Sequence, residues 1–537
     1  MLVLFRSITK QEWKFWAKVL IALVFITSIS RIFAIILSPN DWVWSGRTYF
    51  PPGDHYVYIS YIEQIKNGAN ILHDLFSAKE DTAPMFNIFW MSLGYIARFT
   101  GFSALIVKEV SRILLIPGLL FLLYLLISYF FKNIFERKIA FLLSVFGGGI
   151  GIWVYPITNV LNRGEIIDRL PIDISVSEAF VFLSSYYSAH FIFSIMLFIF
   201  LILNILIAAD KKRIKYVFFG GIAGAILLNF HPFSFVVFAY IFAVYFLYLL
   251  WVDRARAFFI FKYFLFFGLL IMPAAIYHVQ MMSTPWWQNQ AWASGTEAPN
   301  IIYIILGYGF LFLFSIASIY RIIKNNFEIE RAPFLIIWFF GQISLIFLPI
   351  SIQRRFLEGY SIILSILATP YIVFLIKKKP WLMKGKCFPA TVFICTFCLS
   401  FLAVIYLDFT NYIKKIPQIY FPKDYYKAML ALRKYTNEGD LILADVLSSN
   451  AIPGVALRNV FVGHGAETIN FQYKFEILTR FGEGTNLADR MAILKNNKID
   501  YFFYDPNWNW AWNPDNEKFL QKIYEQGIYK IYKVVNL

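Results

Sequence analysis

Residues 215–251 read KYVFFGGIAGAILLNFHPFSFVVFAYIFAVYFLYLLW, and after Lys215 this stretch contains no Asp, Glu, Lys or Arg. A bilayer core is crossed by about 20 apolar residues in a helix, so the stretch is too long for one crossing and right for two. Phe230-His231-Pro232 divides it, because a proline behind a polar residue marks the tip of a tight hairpin. Two spans result, 215–230 and 232–251.

The same reading, carried along the chain, finds about eleven apolar runs of spanning length: 16–38, 106–131, 138–157, 180–208, 215–230, 232–251, 258–281, 300–321, 333–350, 359–376 and 388–407. Composition agrees. Of the 537 residues, 59% are hydrophobic and only 15% are charged, where a soluble protein carries roughly 25% charged. Lipid, rather than water, therefore solvates much of the surface. The formal net charge of +16 would suggest nucleic acid in a soluble chain. Here the Lys and Arg residues cluster in short links between apolar runs, which is a topology signal and points to no nucleic-acid partner.

Alternate links are the basic ones. They carry Arg6, Lys10 and Lys14; Lys132, Arg137 and Lys138; Lys211, Lys212, Arg213 and Lys215; Arg254, Arg256 and Lys262; Arg321, Lys324 and Arg331; and Lys377, Lys378 and Lys379. These links and the N-terminus are expected in the cytoplasm, with an odd span count placing the C-terminal segment outside the plasma membrane. The run 16–38 reads as an uncleaved signal anchor. Residues 84–105 are apolar enough to pass for a span, but counting them would reverse the alternation. They read instead as an interfacial helix along the outer leaflet. Cys387, Cys395 and Cys398 lie in or beside one apolar run, so neither a disulfide framework nor a zinc site is expected.

The expected fold is an all-α polytopic membrane protein with a small C-terminal α/β domain. Residues 1–408 form the transmembrane domain, with a first exterior loop at 39–105, and 409–537 form an exterior soluble domain. In that domain 441–444, 459–463, 501–504 and 529–534 read as strands, and 471–481 and 487–496 as helices.

Several residues in exterior links can carry chemistry. Asp54 follows Pro51-Pro52-Gly53 and opens the helical pattern of Tyr56–Lys66. It reads as an N-cap, whose carboxylate accepts backbone N–H bonds, or as a general base for an acceptor hydroxyl; the two are compatible. Arg354 and Arg355 stand at an exterior boundary against the positive-inside bias. They pair with Glu358 or lipid head groups, or bind a phosphate bidentately. His190 and His231 fall on the same side. Each alone reads as a hydrogen-bonded structural histidine, and together with Asp54 and the arginines they are expected to line one exterior cavity. Val462-Gly463-His464-Gly465-Ala466-Glu467-Thr468 lacks the spacing and lysine of a phosphate loop. It reads as a strand-to-helix turn, with His464 a site residue. Trp286, Trp287 and Trp292 form an interfacial belt or stack on sugar rings.

This layout resembles the GT-C superfamily of membrane glycosyltransferases, most nearly its uncharacterised bacterial members akin to the protein mannosyltransferases that use dolichyl- or polyprenyl-phosphate mannose. Gly53-Asp54-His55-x-x-Tyr58 looks like the acidic motif of the family's first exterior loop. Arg354-Arg355-Phe356-x-Glu358-Gly359 looks like a late exterior arginine motif, and His190-Phe191, His231-Pro232 and Gly463-His464-Gly465-x-Glu467-Thr468 look like recurrent pieces of such members. The resemblance implies a polyprenyl-phosphate-linked sugar donor and a glycan, lipid or protein acceptor in the cell envelope. It implies Asp54 as catalytic base in an inverting transfer, and His55, Tyr58, His190, His231, Arg354, Arg355, Glu358 and His464 as substrate-binding residues, Arg354 and Arg355 at the donor phosphate. Many relatives carry two adjacent acids in this loop, whereas His55 follows Asp54 here, so no metal or other cofactor is assigned. Three rival readings stand beside it. A flippase for a lipid-linked sugar predicts broken helices and mid-membrane charges. A non-catalytic sensor needs neither Asp54 nor Arg354. An oligosaccharyltransferase-like enzyme using a lipid pyrophosphate predicts a divalent metal and a second acidic motif, for which Glu165, Asp168 and Asp173 are the candidates.

Overall fold

The computed structural model describes residues 2–48, 54–161, 171–293, 295–379, 388–483 and 486–535. Pro51-Pro52-Gly53, Arg163, Glu165, Asp168, Arg169 and Cys387 lie outside the described residues.

Among the described residues, nine helices are long and apolar enough to cross a membrane: Lys10–Ile36, Ala104–Phe130, Ile134–Pro156, Ala189–Lys211, Pro232–Val252, Arg254–Met282, Ile301–Ile323, Gln353–Lys378 and Thr391–Ile413. Ile214–Phe230 and Ala332–Phe347 are apolar but shorter. Each of the eleven runs is therefore helical, with nine of full length where the hydropathy pattern expects about eleven. The chain is a multi-pass membrane protein. The hairpin tip falls at His231, which ends Ile214–Phe230 and opens Pro232–Val252. Pro232 sits at the first helical position, where its missing N–H costs nothing. Residues 84–105 supply the 13-residue helix Ile88–Thr100, too short to cross a bilayer.

Two runs that read as continuous are interrupted. In the run 138–157 helix Ile134–Phe146 ends before Gly147-Gly148-Gly149, and Gly151–Leu161 begins beyond Ile150. The backbone N–H groups freed by the break find partners on other helices: Gly148 N–H donates to Phe397 O (2.7 Å) and Ile150 N–H to Leu306 O (3.0 Å). Gly151 N–H, at the start of the second half-helix, donates to the carboxylate of buried Asp173 (3.0 Å). Opposite this break Ile301–Ile323 kinks at Gly309, which has φ +51°. A Cβ on Gly149 would stand 2.2 Å from Gly307 O, so the two irregular helices meet backbone to backbone. In the run 180–208 Ser188 is extended (φ −156°, ψ 143°) and separates Val181–Tyr187 from Ala189–Lys211.

By its contacts the chain divides into two units. One comprises Met1–Ser30, Glu109–Tyr277 and Thr296–Phe409; the other comprises Arg31–Lys108, His278–Gly295 and Thr410–Leu537. The second unit thus gathers the first loop, the tryptophan-bearing link and the C-terminal segment. Its strands are β1 (Trp42–Trp44), β2 (Tyr420–Pro422), β3 (Leu441–Leu443), β4 (Asn459–Val460), β5 (Tyr501–Tyr504), β6 (Leu520–Gln526) and β7 (Tyr529–Val534). β3, β4, β5 and β7 lie on the four stretches read as strands, and helices Phe471–Glu483 and Leu487–Asn496 lie on the two read as helices. The sheet order is β4-β3-β5-β7-β6, with β3 parallel to β4 and β5, and β7 antiparallel to β5 and β6. Leu443, Val462, Phe481, Leu494 and Phe502 fill its core. β6 buries only Leu520 of its seven residues and so carries little apolar signal.

β1 of the first loop pairs antiparallel with β2, Val43 opposite Phe421. Helix His55–Lys66 packs against Ile88–Thr100, where a Cβ on Gly94 would lie 2.4 Å from Ile65 Cβ. Its other neighbour is Val446–Ala456, whose Gly454 approaches Tyr56 O. The helix that begins at Asp54 is thus held between the first loop and the C-terminal segment.

The glycine contact makes a prediction. Gly149→Ala puts a methyl group against the Gly307 carbonyl and is expected to lower stability by about 1–3 kcal/mol. A reduced thermal midpoint of the detergent-solubilised protein reads this out. Gly268→Ala, where a Cβ meets nothing within 4 Å, is the control and leaves the midpoint unchanged or slightly raised.

Candidate active site

The sequence-predicted residues fall into two groups, one in each unit. The first is built on Asp54. It occupies the N-cap position of His55–Lys66, yet its side chain makes no capping bond to the helix. Tyr58, one turn on, donates its hydroxyl to Asp54 Oδ2 (3.0 Å), and His464 Nε2 lies 3.2 Å from Oδ1. The Tyr58 ring is stacked on Trp90 at 4.4 Å between centroids, which fixes the hydroxyl. The Asp54 side chain remains 37% exposed while that of His464 is 10% exposed. The N-cap reading is therefore half right: the position is a cap, and the carboxylate is turned to side-chain donors instead.

His464 is set by its turn. Its Nδ1 accepts the Glu467 N–H (3.3 Å), Thr468 N–H donates to its carbonyl (2.8 Å), and Thr468 Oγ1 accepts from Gly463 N–H (3.0 Å). Burial alone would lower the pKa of this imidazole, but the Asp54 hydrogen bond and the Asp54 and Glu467 charges outweigh it and leave the pKa raised. Helix Pro285–Ala293 closes over the turn. Trp286 Nε1 donates to Glu467 Oε2 (3.2 Å), and Asn289 Nδ2 donates to the carbonyls of Ala466 and Thr468 (3.1 and 3.2 Å). Trp286 therefore has a specific polar partner. His55 is spent internally: Nε2 lies 3.1 Å from Ser45 O and Nδ1 3.2 Å from Lys108 Nζ.

The second group lies in the other unit. His231 Nδ1 is 2.9 Å from Glu358 Oε2, and Ser234 hydrogen-bonds to both His231 Nδ1 (3.1 Å) and the same Glu358 oxygen. His190 Nδ1 lies 2.8 Å from Ser188 Oγ, and its ring lies 6.2 Å from that of His231. Arg354 faces Glu178, with Nε 3.6 Å from Oε1, and the Arg355 guanidinium lies over Phe233. Burial would raise the Glu178 pKa, but Arg354 and Arg355 together bring it below the usual carboxylate range. The turn that carries the arginines is pinned. Arg354 N–H donates to Thr296 O (2.9 Å), and Gln342 Nε2 donates to the carbonyls of Phe356 and Glu358 (2.8 Å each).

Sequence reasoning expected Arg354 and Arg355 to face Glu358 or a phosphate; Glu358 belongs instead to His231 and Ser234, and Glu178 is the acid opposite the arginines. A buried acid in the link preceding an apolar run, matched to two arginines against the positive-inside bias, was the available signal for Glu178. Trp286 stood out only as an aromatic of the exterior link, and Asn289 and Gln342 carried no signal, because their hydrogen bonds reach residues outside any local pattern. Asp173 is engaged at the broken helix. Among the described residues no three His, Cys, Asp or Glu side chains gather in a way that could hold a metal ion.

No family model and no curated protein matches the sequence. Solved structures do match in shape. The archaeal oligosaccharyltransferase AglB from Archaeoglobus fulgidus, in complex with an inhibitory peptide and a dolichol-phosphate, superposes with a TM-score of 0.51 at 12% identity, over 92% of this chain and 70% of that one. The arabinofuranosyltransferase AftD from Mycobacteria gives a TM-score of 0.54 at 12% identity, over 98% of this chain and 42% of that one. The chain has the GT-C fold. The expectation of that fold from the order of the motifs is met.

Gln342 generates a prediction. Gln342→Leu removes both donors to the arginine turn and leaves two buried carbonyls unpaired, at about 1–3 kcal/mol each. The variant is expected to have a lower thermal midpoint, and Gln342→Glu, which can still offer one hydroxyl donor only when protonated, to recover part of it at acid pH.

Proposed function

We propose that the chain is a membrane glycosyltransferase that moves a sugar from a polyprenyl-phosphate-linked donor to a glycan, lipid or protein acceptor with inversion. The observation that carries this reading is Asp54: a partly exposed carboxylate at a helix start, without a capping bond to the helix, with Tyr58 donating to one oxygen and His464 set at the other. In the proposed step the acceptor hydroxyl gives its proton to Asp54 while its oxygen bonds to the anomeric carbon. The bond from that carbon to the lipid phosphate breaks, and the electron pair leaves with the phosphate. Arg354 and Arg355 hold that phosphate and stabilise the charge that develops on it. The AglB structure, found in complex with a dolichol-phosphate, supports a lipid phosphate as the group to be held. The reading further places the N-terminus in the cytoplasm and the C-terminal segment outside, where a lipid-carried donor is the available form of activated sugar.

Two rivals weaken. Broken helices, a mark of transporters, are present, but a transporter leaves a half-helix N-terminus free for its substrate. Here Gly151 N–H at the break is occupied by Asp173. A pyrophosphate donor would call for a divalent cation. Asp173 is engaged at the broken helix, Glu165 and Asp168 lie outside the described residues, and the step above is written without a metal.

The test is transfer from polyprenyl-phosphate-linked mannose or arabinofuranose in proteoliposomes. Asp54→Asn is expected to lose at least ~10²-fold in rate with unaltered yield and thermal midpoint. Arg355→Gln is expected to raise the donor KM. A wild-type rate in Asp54→Asn would falsify the assignment.

A further inference from the structure

We propose that His464 is the positioning residue of Asp54: its Nε2–H holds the carboxylate in one orientation, so that a turn of the C-terminal segment completes the base. The inference rests on the reading of Asp54 as base and adds a residue that acts through it.

The ring has one available role. Its Nδ1 is taken by the Glu467 N–H, so the proton of the neutral ring sits on Nε2, facing Asp54 Oδ1. A second proton would add at Nδ1 and displace the Glu467 bond. In either charge state Nε2 donates to Asp54. The ring is therefore a donor and not a proton acceptor from Asp54.

The turn keeps the ring in place. A Cβ on Gly463 would stand 2.8 Å from Ser449 O, so the backbone there is close-packed. Thr468 Oγ1 donates to Phe76 O (2.9 Å) and Ile469 N–H to Ser77 Oγ (2.8 Å), which ties the turn to the first loop. Asn289 and Trp286 clamp it from the tryptophan-bearing link. Three separate segments of the chain thus hold one imidazole. Such a scaffold matters because Asp54 is partly exposed at a helix end, where a second donor beside the Tyr58 hydroxyl narrows its orientation. A base misplaced by an ångström costs on the order of 10²-fold in rate.

The charged and titratable groups that bear on the pair are known. Tyr58 and Tyr61 come from the helix of Asp54, and Glu467 from the turn. Arg47 and Asp74 come from the first loop, and Lys474 acts on Asp74. Arg47 opposes protonation of His464; Asp54 and Glu467 favour it.

The experiment uses three variants of the full chain. His464→Asn places an amide oxygen where Nδ1 stood, keeping the Glu467 bond and losing the donor to Asp54. His464→Gln reaches the Nε2 position and keeps that donor. His464→Ala loses both. Infrared titration of the carboxyl C=O band that vanishes in Asp54→Asn reports Asp54 without any substrate. A donor to the carboxylate favours its ionised form, so His464→Asn is expected to move that titration up by about one unit, and His464→Gln to hold it near wild type. In the transfer assay the acid limb moves up by the same amount in His464→Asn. There kcat falls about 10-fold or more with KM little changed. An unmoved band in His464→Asn overturns the inference and leaves the reading of Asp54 standing. Full activity of Asp54→Asn overturns that reading, whatever the band does. If His464→Asn and His464→Gln lose thermal stability equally and both move the band alike, His464 is structural and the inference falls.

Discussion

Backbone groups in hydrocarbon need partners inside the protein, and the rest of the transmembrane fold depends on how this chain meets that demand where its helices break. The break at Gly147–Ile150 frees several N–H groups at once. Each described one is answered from another element: Phe397 O, Leu306 O and the Asp173 carboxylate. The answers need close approach, and glycine on both sides supplies it, at Gly149 and at Gly307 and Gly309. An irregular helix is thus stable only beside a second irregular helix. The kink in Ile301–Ile323 and the break in the run 138–157 are one structural feature seen from two sides.

That coupling explains what the sequence could and could not reveal. Spans are legible because hydropathy is a local property, summed over about 20 residues. The hairpin at His231 is legible for the same reason, since proline acts on its immediate neighbours. The breaks at Gly147 and Ser188 are not, because both runs stay apolar through them. Neighbouring helices and Asp173 decide the break at Gly147, and no window contains them. The C-terminal domain shows the same division. β3, β5 and β7 are apolar or aromatic runs and stand out. β6 is mostly solvent-facing and becomes a strand by pairing with β7; helix Val446–Ala456, which contains Pro453, is not among the helices read from the sequence.

The candidate residues follow that rule as well. Asp54, His464 and the arginines were legible by type and position, because an acid after the first span and two arginines against the topology bias stand out in composition. Their partners were not. Glu358 sits four residues from Arg354 and was the natural guess, yet the turn directs it to His231 and Ser234. Glu178 takes the arginines because it arrives from a different link, fully buried, where an unpaired carboxylate would be costly.

Asp54 shows what such partners imply for motion. Its two oxygens are held by groups of different origin, Tyr58 on the same helix and His464 from the far end of the chain. The first bond lies within one helical turn and moves with the helix. The second is lost if that segment shifts by more than about an ångström, since an N–H···O bond weakens steeply beyond its normal range. The carboxylate therefore has a permanent anchor and a conditional one. Any event that displaces the Gly463–Thr468 turn is felt at Asp54, and the turn's links to Asn289 and Trp286 extend the same sensitivity to the tryptophan-bearing link.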